Sequence, residues 1–183
     1  ANNGTSWADA YEQLTNGLVS APATCHIWVA EGTYTLASES ANSFELSGAS
    51  YPDGRRVFGG FAATETTETQ RSWTANKTVL SGDLGASNAT EMIRISVANP
   101  GPVMLDGFTV TDGGYLYGNN CRTIIRNCIF TNNSGAMLPG ALYIRGGSES
   151  EYVTVSNCAF IRNSAVYGGA VYVMRSTELI DCT

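Results

Sequence analysis

The sequence predicts an all-β fold: a right-handed parallel β-helix, a solenoid of about six or seven coils with an N-terminal capping helix. Three observations lead there. Arg126–Ser134 reads Arg-Asn-Cys-Ile-Phe-Thr-Asn-Asn-Ser, and thirty residues later Ser156–Ser164 reads Ser-Asn-Cys-Ala-Phe-Ile-Arg-Asn-Ser. A bend residue recurs at positions 60, 82, 107, 127, 157 and 181, occupied by Gly, Gly, Gly, Asn, Asn and Asp. Those are the residues that most readily accept positive φ. A second run repeats between the bends: Gly140-Ala141-Leu142-Tyr143-Ile144 matches Gly169-Ala170-Val171-Tyr172-Val173, and Gly114-Tyr115-Leu116-Tyr117 fits the same frame.

Each repeat opens on alternating apolar residues, Val153 and Val155 in one copy and Ile125 in the other, and a period of two is a strand. Asn127 or Asn157 breaks the alternation, and Cys128 and Phe130, or Cys158 and Phe160, resume it. A single Asn between two strands is a sharp left-handed bend. Leu105-Asp106-Gly107, Leu80-Ser81-Gly82, Leu179-Ile180-Asp181 and, more loosely, Phe58-Gly59-Gly60 extend the same frame. The bends are spaced by 22, 25, 20, 30 and 24 residues. Coils of that length pair in parallel at roughly 4.8 Å per coil, and parallel crossovers are right-handed.

The N-terminal stretch has a different pattern. Ser6-Trp7-Ala8-Asp9 has the form of a capping box with Asp9 in place of the usual Glu, and Trp7, Ala10, Tyr11, Leu14 and Leu18 follow at helical spacing. Residues 1–24 are therefore expected to form a cap carrying an amphipathic helix, and residues 25–183 the β-helix. Ile27–Ala30 is its expected first strand, and Thr64–Glu68 an exposed loop leaving the rod. Cys182-Thr183 begins another coil, which predicts that the rod is truncated at its C-terminal end and belongs to a longer chain.

Composition excludes some functions. A net charge of −6 with Lys77 as the sole lysine argues against nucleic acid as a partner. No apolar run approaches the length of a membrane span, so no insertion by this segment is expected. Cys25, Cys121, Cys128, Cys158 and Cys182 lack metal-ligand spacing, and there is one histidine, His26. No metal or cofactor is expected. Cys128, Cys158 and Cys182 share one place in the coil and should stack inward as small apolar groups. Disulfides between neighbouring coils stay open as an alternative, and an odd count leaves at least one cysteine unpaired within the chain.

Phe160-x-x-Asn163 followed by Gly168-Gly169-Ala170-Val171 resembles the repeat of the polymorphic outer membrane proteins, a family of bacterial surface adhesins. Phe130-x-x-Asn133 repeats the first half, while Pro139-Gly140-Ala141-Leu142 departs from the second. Gly4–Ala10, Ile27–Tyr34, Phe58–Phe61, Gln70–Trp73 and Thr78–Leu84 are similar to the N-terminal part of large secreted bacterial β-helix proteins of the pectate-lyase-like superfamily. The resemblance implies a secreted or cell-surface bacterial domain. It also removes weight from the sequons at Asn3, Asn76, Asn88 and Asn132.

Stacking turns equivalent residues into stripes. With Leu142, Ile144, Val171 and Val173 facing in, Tyr143 and Tyr172 face out with Tyr117 beside them, a flat aromatic strip on which sugar rings could stack. The bland counterpart is a tyrosine ladder that only stabilises the sheet. For catalysis, lyases of this fold use a Lys or Arg base near calcium-binding carboxylates, and glycosidases use two carboxylates roughly 5 to 10 Å apart. Lys77, Arg94 and Arg126 with Asp83, Asp106 and Asp112 are the candidates, and none stands in a catalytic signature. Glu65, Glu68 and Asp83 lack calcium-loop spacing. The favoured expectation is a non-catalytic domain for adhesion or glycan binding, its partner a polysaccharide or cell-surface glycan. A polysaccharide lyase or glycoside hydrolase module is the alternative, and a passive structural stalk the second.

Overall fold

A computed structural model describes residues 2–22, 25–36, 43–46, 54–85, 88–95, 101–119, 122–135, 139–145 and 152–183. Cys121 and the boundary between cap and rod at residue 24 lie outside these residues. The chain passes repeatedly through the same set of sheets. The first circuit is β1 (His26–Ala30), β2 (Gly32–Thr35) and β3 (Phe44–Glu45), and the second is β4 (Arg55–Phe61), β5 (Thr78–Ser81) and β6 (Glu91–Ile95). The third is β7 (Val103–Asp106), β8 (Phe108–Thr111) and β9 (Tyr115–Asn119). A fourth strand joins the next two: β10 (Thr123–Arg126), β11 (Ile129–Thr131), β12 (Ser134–Gly135) and β13 (Leu142–Arg145), then β14 (Val153–Ser156), β15 (Ala159–Ile161), β16 (Ser164–Ala165) and β17 (Val171–Val173). β18 (Thr177–Ile180) starts a sixth.

Corresponding strands pair in parallel. The first sheet runs β1-β4-β7-β10-β14-β18, the second β2-β5-β8-β11-β15, the third β3-β6-β9-β13-β17, and β12 pairs with β16. The result is an all-β chain of stacked parallel sheets, consistent with a parallel β-helix. Alternation along each strand fills the interior with columns: Val57, Leu105, Ile125 and Val155 from the first sheet, and Ile93, Leu116 and Leu142 from the third, all at most 1% exposed. Burying each such side chain contributes about 1.5–3 kcal/mol. Leu179 is next in the first column and is exposed, because the described chain places no strand beyond β18.

Two bends per circuit turn the chain between sheets. Gly107, Asn127, Asn157 and Asp181 make the first with φ of 84°, 55°, 50° and 50°. Asp112, Asn132 and Arg162 make the second with φ of 54°, 55° and 55°. The sequence frame put Gly82 in the first row, and the register corrects this. Leu80 pairs with Val110 and Ser81 with Thr111, so Gly82 lies beside Asp112 in the second row, and its φ is not positive. A glycine is needed there for space: an added Cβ would stand 2.4 Å from Met92 Sδ and 2.6 Å from the Gly113 backbone. Gly60 has a φ of 95°, but it sits one residue past the frame, since Phe58 pairs with Asp106.

The repeated residues hold the coils to one another. Asn133 Nδ2 donates to the Val110 carbonyl and Asn163 Nδ2 to the Phe130 carbonyl, each at 2.9 Å, while Asn163 Oδ1 accepts from the Asn133 amide at 3.0 Å. The Phe130 and Phe160 rings stack 5.1 Å apart and 7° from parallel. Cys128, Cys158 and Cys182 occupy equivalent places and donate to backbone carbonyls, among them those of Arg126, Ser156 and Ile180 at 3.2, 3.2 and 3.3 Å. These three and the exposed Cys25 are free thiols.

The N-terminal segment is not one helix. A 3-10 turn covers Trp7–Asp9, Ala10 is extended, and the α-helix α1 spans Leu14–Ser20. Hydrogen bonds from Asn2 to the Ala10 carbonyl and from the Gly4 amide to the Asp9 carbonyl close residues 2–10 into their own loop. Ser6 caps the turn as the sequence implied, accepting from the Asp9 amide at 3.3 Å. Trp7 lies against Trp28 and Phe61 at 6.2 and 5.6 Å, with its Nε1 donating to the Glu65 carbonyl. α1 packs on β1 and β3 with Leu14 and Leu18 buried. No helix among the described residues is long and apolar enough to cross a membrane.

In the stretch Thr64–Glu68, Thr64, Thr66 and Thr67 are exposed as expected, while Glu65 turns in against the protein. Glu65 is buried and accepts from the Ala62 and Thr64 amides at 2.7 and 3.0 Å. Burial raises its pKa, but backbone N–H groups of Ala62, Glu65 and Thr64 outweigh that and hold the carboxyl below its usual range. Glu68 pairs with His26 at 2.9 Å.

Candidate ligand-binding face

The outer face of the third sheet gathers the predicted tyrosines. Register places Tyr143 beside Tyr117 on one side and Tyr172 on the other, so three successive coils contribute one outward column. The column continues into the earlier coils as Arg94 beside Tyr117 and Glu45 beside Arg94. Leu142 and Ile144 point inward, fully buried. Val173, the inward counterpart on the last strand, is exposed for the same reason as Leu179.

The rings form a column without forming a flat strip. Tyr117 and Tyr143 lie 5.3 Å apart at 45°, and Tyr143 and Tyr172 lie 5.6 Å apart at 60°. Tyr115, not among the sequence candidates, closes edge-on against Tyr143 at 5.8 Å and 80°. Edge-to-face contacts suit the ring quadrupoles better than a face-to-face sandwich. As a result Tyr143 is only 9% exposed, whereas Tyr172 is 37% exposed and Tyr117 lies between. Tyr172 and Tyr117 therefore offer surface to a ligand, and Tyr143 mainly supports them.

At the other end of the column is a groove of about 410 Å³ lined by Ser43, Glu45, Glu91 and Arg94. Strict alternation in β6 would send Glu91 inward with Ile93 and Ile95. A bulge between Glu91 and Ile93 buries both Met92 and Ile93 and puts Glu91 and Arg94 on the same outer face. Arg94 reaches Glu91 with Nε at 2.7 Å from Oε1 and Nη2 at 3.1 Å from Oε2, and Glu45 Oε2 lies 3.9 Å from Nε. Its guanidinium also covers the Tyr117 ring at 5.6 Å. The short contact at Glu91 Oε1 lacks hydrogen-bond alignment, and this buried atom has no hydrogen-bond partner. Burial pushes the Glu91 carboxyl above its usual range; Arg94 opposes the shift and Glu45 adds to it. Burial also raises the Tyr115 phenol, with Glu91 adding.

Of the other sequence candidates, Asp106 and Arg126 are brought together, but in a buried tie and not in an open site. Asp106 is fully buried: Arg71 Nη2 and Arg126 Nε approach Oδ2 at 2.7 and 2.6 Å, and Asn127 Nδ2 donates to Oδ1 at 2.8 Å. Burial raises its pKa, but the hydrogen bonds from Arg71, Asn127 and Arg126 prevail and hold the carboxyl below its usual range. That carboxylate is a structural tie between coils and out of a substrate's reach. Asp83 is exposed and accepts from the Gly85 amide at 2.8 Å, Asp112 occupies a bend beside Thr111, and Lys77 precedes β5 in the second sheet. Among the described residues no group of three or more His, Cys, Asp or Glu side chains is arranged to hold a metal ion.

No protein-family model, curated protein or solved structure matches the chain.

Proposed function

We propose that this chain is a right-handed parallel β-helix domain of a secreted or cell-surface bacterial protein, part of a longer chain, that binds glycan through the outer face of its third sheet without catalysis. One observation carries the proposal. The outward column Arg94, Tyr117, Tyr143 and Tyr172 runs from a groove bearing two carboxylates onto partly exposed aromatic rings. Aromatic rings beside a few polar groups suit a pyranose, which has apolar C–H faces and a hydroxyl rim. Four coils of parallel spacing give the column a length of about 14 Å, enough for two or three sugar units. The right hand follows from the crossover preference, and α1 on β1 and β3 supports a capping role for residues 1–24. Phe160 and Asn163, which carry part of the likeness to the adhesin repeat, serve here as scaffold between coils and so support the fold part of the reading.

The hydrolase alternative has one observation in its favour: Glu45 and Glu91 sit on adjacent strands, with the partly buried Glu91 raised in pKa as a general acid would be. Against it, Arg94 lies between the two and engages both. A glycan array probed with the purified domain, with reducing ends and unsaturated products measured on the same glycans, separates the readings. Binding without release of products is the expected result. Product formation lost in Glu91→Gln would establish the hydrolase, and neither binding nor products would leave the stalk.

A further inference from the structure

The charge arrangement in the groove also selects among glycans. Arg94 is its one cation among the described lining residues, and it is already engaged by Glu91 and Glu45 while its face rests on Tyr117. The described lining thus carries two acidic side chains against one basic. Arg145, the next cation along this face, lies on β13, two strands from Arg94. That is about 10 Å across the sheet, beyond the screening length of roughly 8 Å at physiological salt.

An anionic sugar that reaches the exposed edge of Arg94 meets a cation already neutralised by Glu91 and Glu45, and brings a further negative charge beside those two carboxylates. A neutral sugar brings no such charge. Its hydroxyls donate, the half-exposed Glu45 carboxylate accepts, and Glu91 stays paired with Arg94. The C–H face of the same sugar can rest on Tyr117 and continue toward Tyr172. We infer that the groove takes neutral, hydroxyl-rich glycans and turns away those bearing uronate or sialate; this rests on the glycan-binding reading above.

The test is an array carrying neutral, uronate-bearing and sialate-bearing glycans, probed with the wild-type chain, Glu91→Gln and Glu45→Gln at low salt and again at high salt. Signal should come from neutral glycans. Glu91→Gln, by releasing Arg94, should raise the acidic-to-neutral ratio about fivefold, with the gain fading at high salt. Glu45→Gln should move the ratio the same way by less, and it keeps the test open if the Glu91 variant folds poorly. Wild-type binding mainly to acidic glycans, or an unchanged ratio in both variants, would overturn the inference and leave the binding reading standing. A blank array overturns both.

Discussion

Replacing Asp106 with alanine removes a tie that joins three stretches of chain. The carboxylate is fully buried, with Arg71 and Arg126 on Oδ2 at 2.7 and 2.6 Å and Asn127 on Oδ1 at 2.8 Å. Breaking a buried pair by deleting one partner costs about 3–5 kcal/mol, because a charge is left uncompensated. Arg126 is 42% exposed and can turn to water, so its share is small. Arg71 is 12% exposed and stays committed through Nη1 to the Gly59 carbonyl at 2.9 Å, over the Phe58 ring. The loss should thus fall near the low end, about 3 kcal/mol, or about 6–12 °C in Tm for a domain of this size. Thermal and urea unfolding followed by circular dichroism would measure it. A loss of about 1 kcal/mol or less would refute the reasoning, since the site would then behave as a surface pair. The pH dependence gives a second reading. The folded carboxyl lies below its unfolded value near 3.8, so its contribution is complete above that value and is lost as pH falls through the lower folded one. Asp106→Asn should remove this part of the acid limb.

Three further predictions concern the scaffold. Asn157→Val forces a β-branched residue into a bend at φ 50° and removes the 2.8 Å bond to Asn127 Oδ1, which should cost about 1–3 kcal/mol; an unchanged unfolding midpoint would count against the bend. Asn133→Ala strands the Val110 carbonyl and the Gly113 amide in the interior, a loss of about 1–3 kcal/mol per unsatisfied group, whereas Ala at the exposed, neighbouring Asn132 should cost less. In native alkylation followed by peptide mapping, exposed Cys25 should react first and Cys128 remain unmodified, because burial pushes its thiol well above the usual range. Equal rates would contradict the inward thiol column.

The parts legible in the sequence are those where one residue type does one job in each coil. Asn127 and Asn157 at the bend, Cys128 and Cys158 behind it, and the register of Tyr117, Tyr143 and Tyr172 all follow from the repeat. The frame slips at Gly82 because each circuit has two left-handed bends, and a small residue after Leu-Ser suits either one; only pairing with Val110 and Thr111 decides. The predicted single helix fails because Trp7, correctly spaced for it, is held by Trp28, Phe61 and the Glu65 carbonyl. The groove was out of reach for two reasons. A bulge breaks the alternation that would have sent Glu91 inward, and Glu45 meets Arg94 only through pairing of β3 with β6, where the coils have lost their visible repeat. Glu91-x-x-Arg94 is also too short a pattern to signal a site without that bulge.

The central claim is that the tyrosine column binds glycan. The most direct measurement is calorimetric titration of the strongest array glycan into the wild-type chain and into Tyr172→Ala. Tyr172 is the one to change, because it is 37% exposed at the end of the column while Tyr143 is 9% exposed and packed among its neighbours. The expected result is a weakening of about 1–2 kcal/mol, roughly five- to thirtyfold in Kd, with Tm nearly unchanged. Equal affinities in two equally stable proteins would contradict the claim and reduce the column to a packing device.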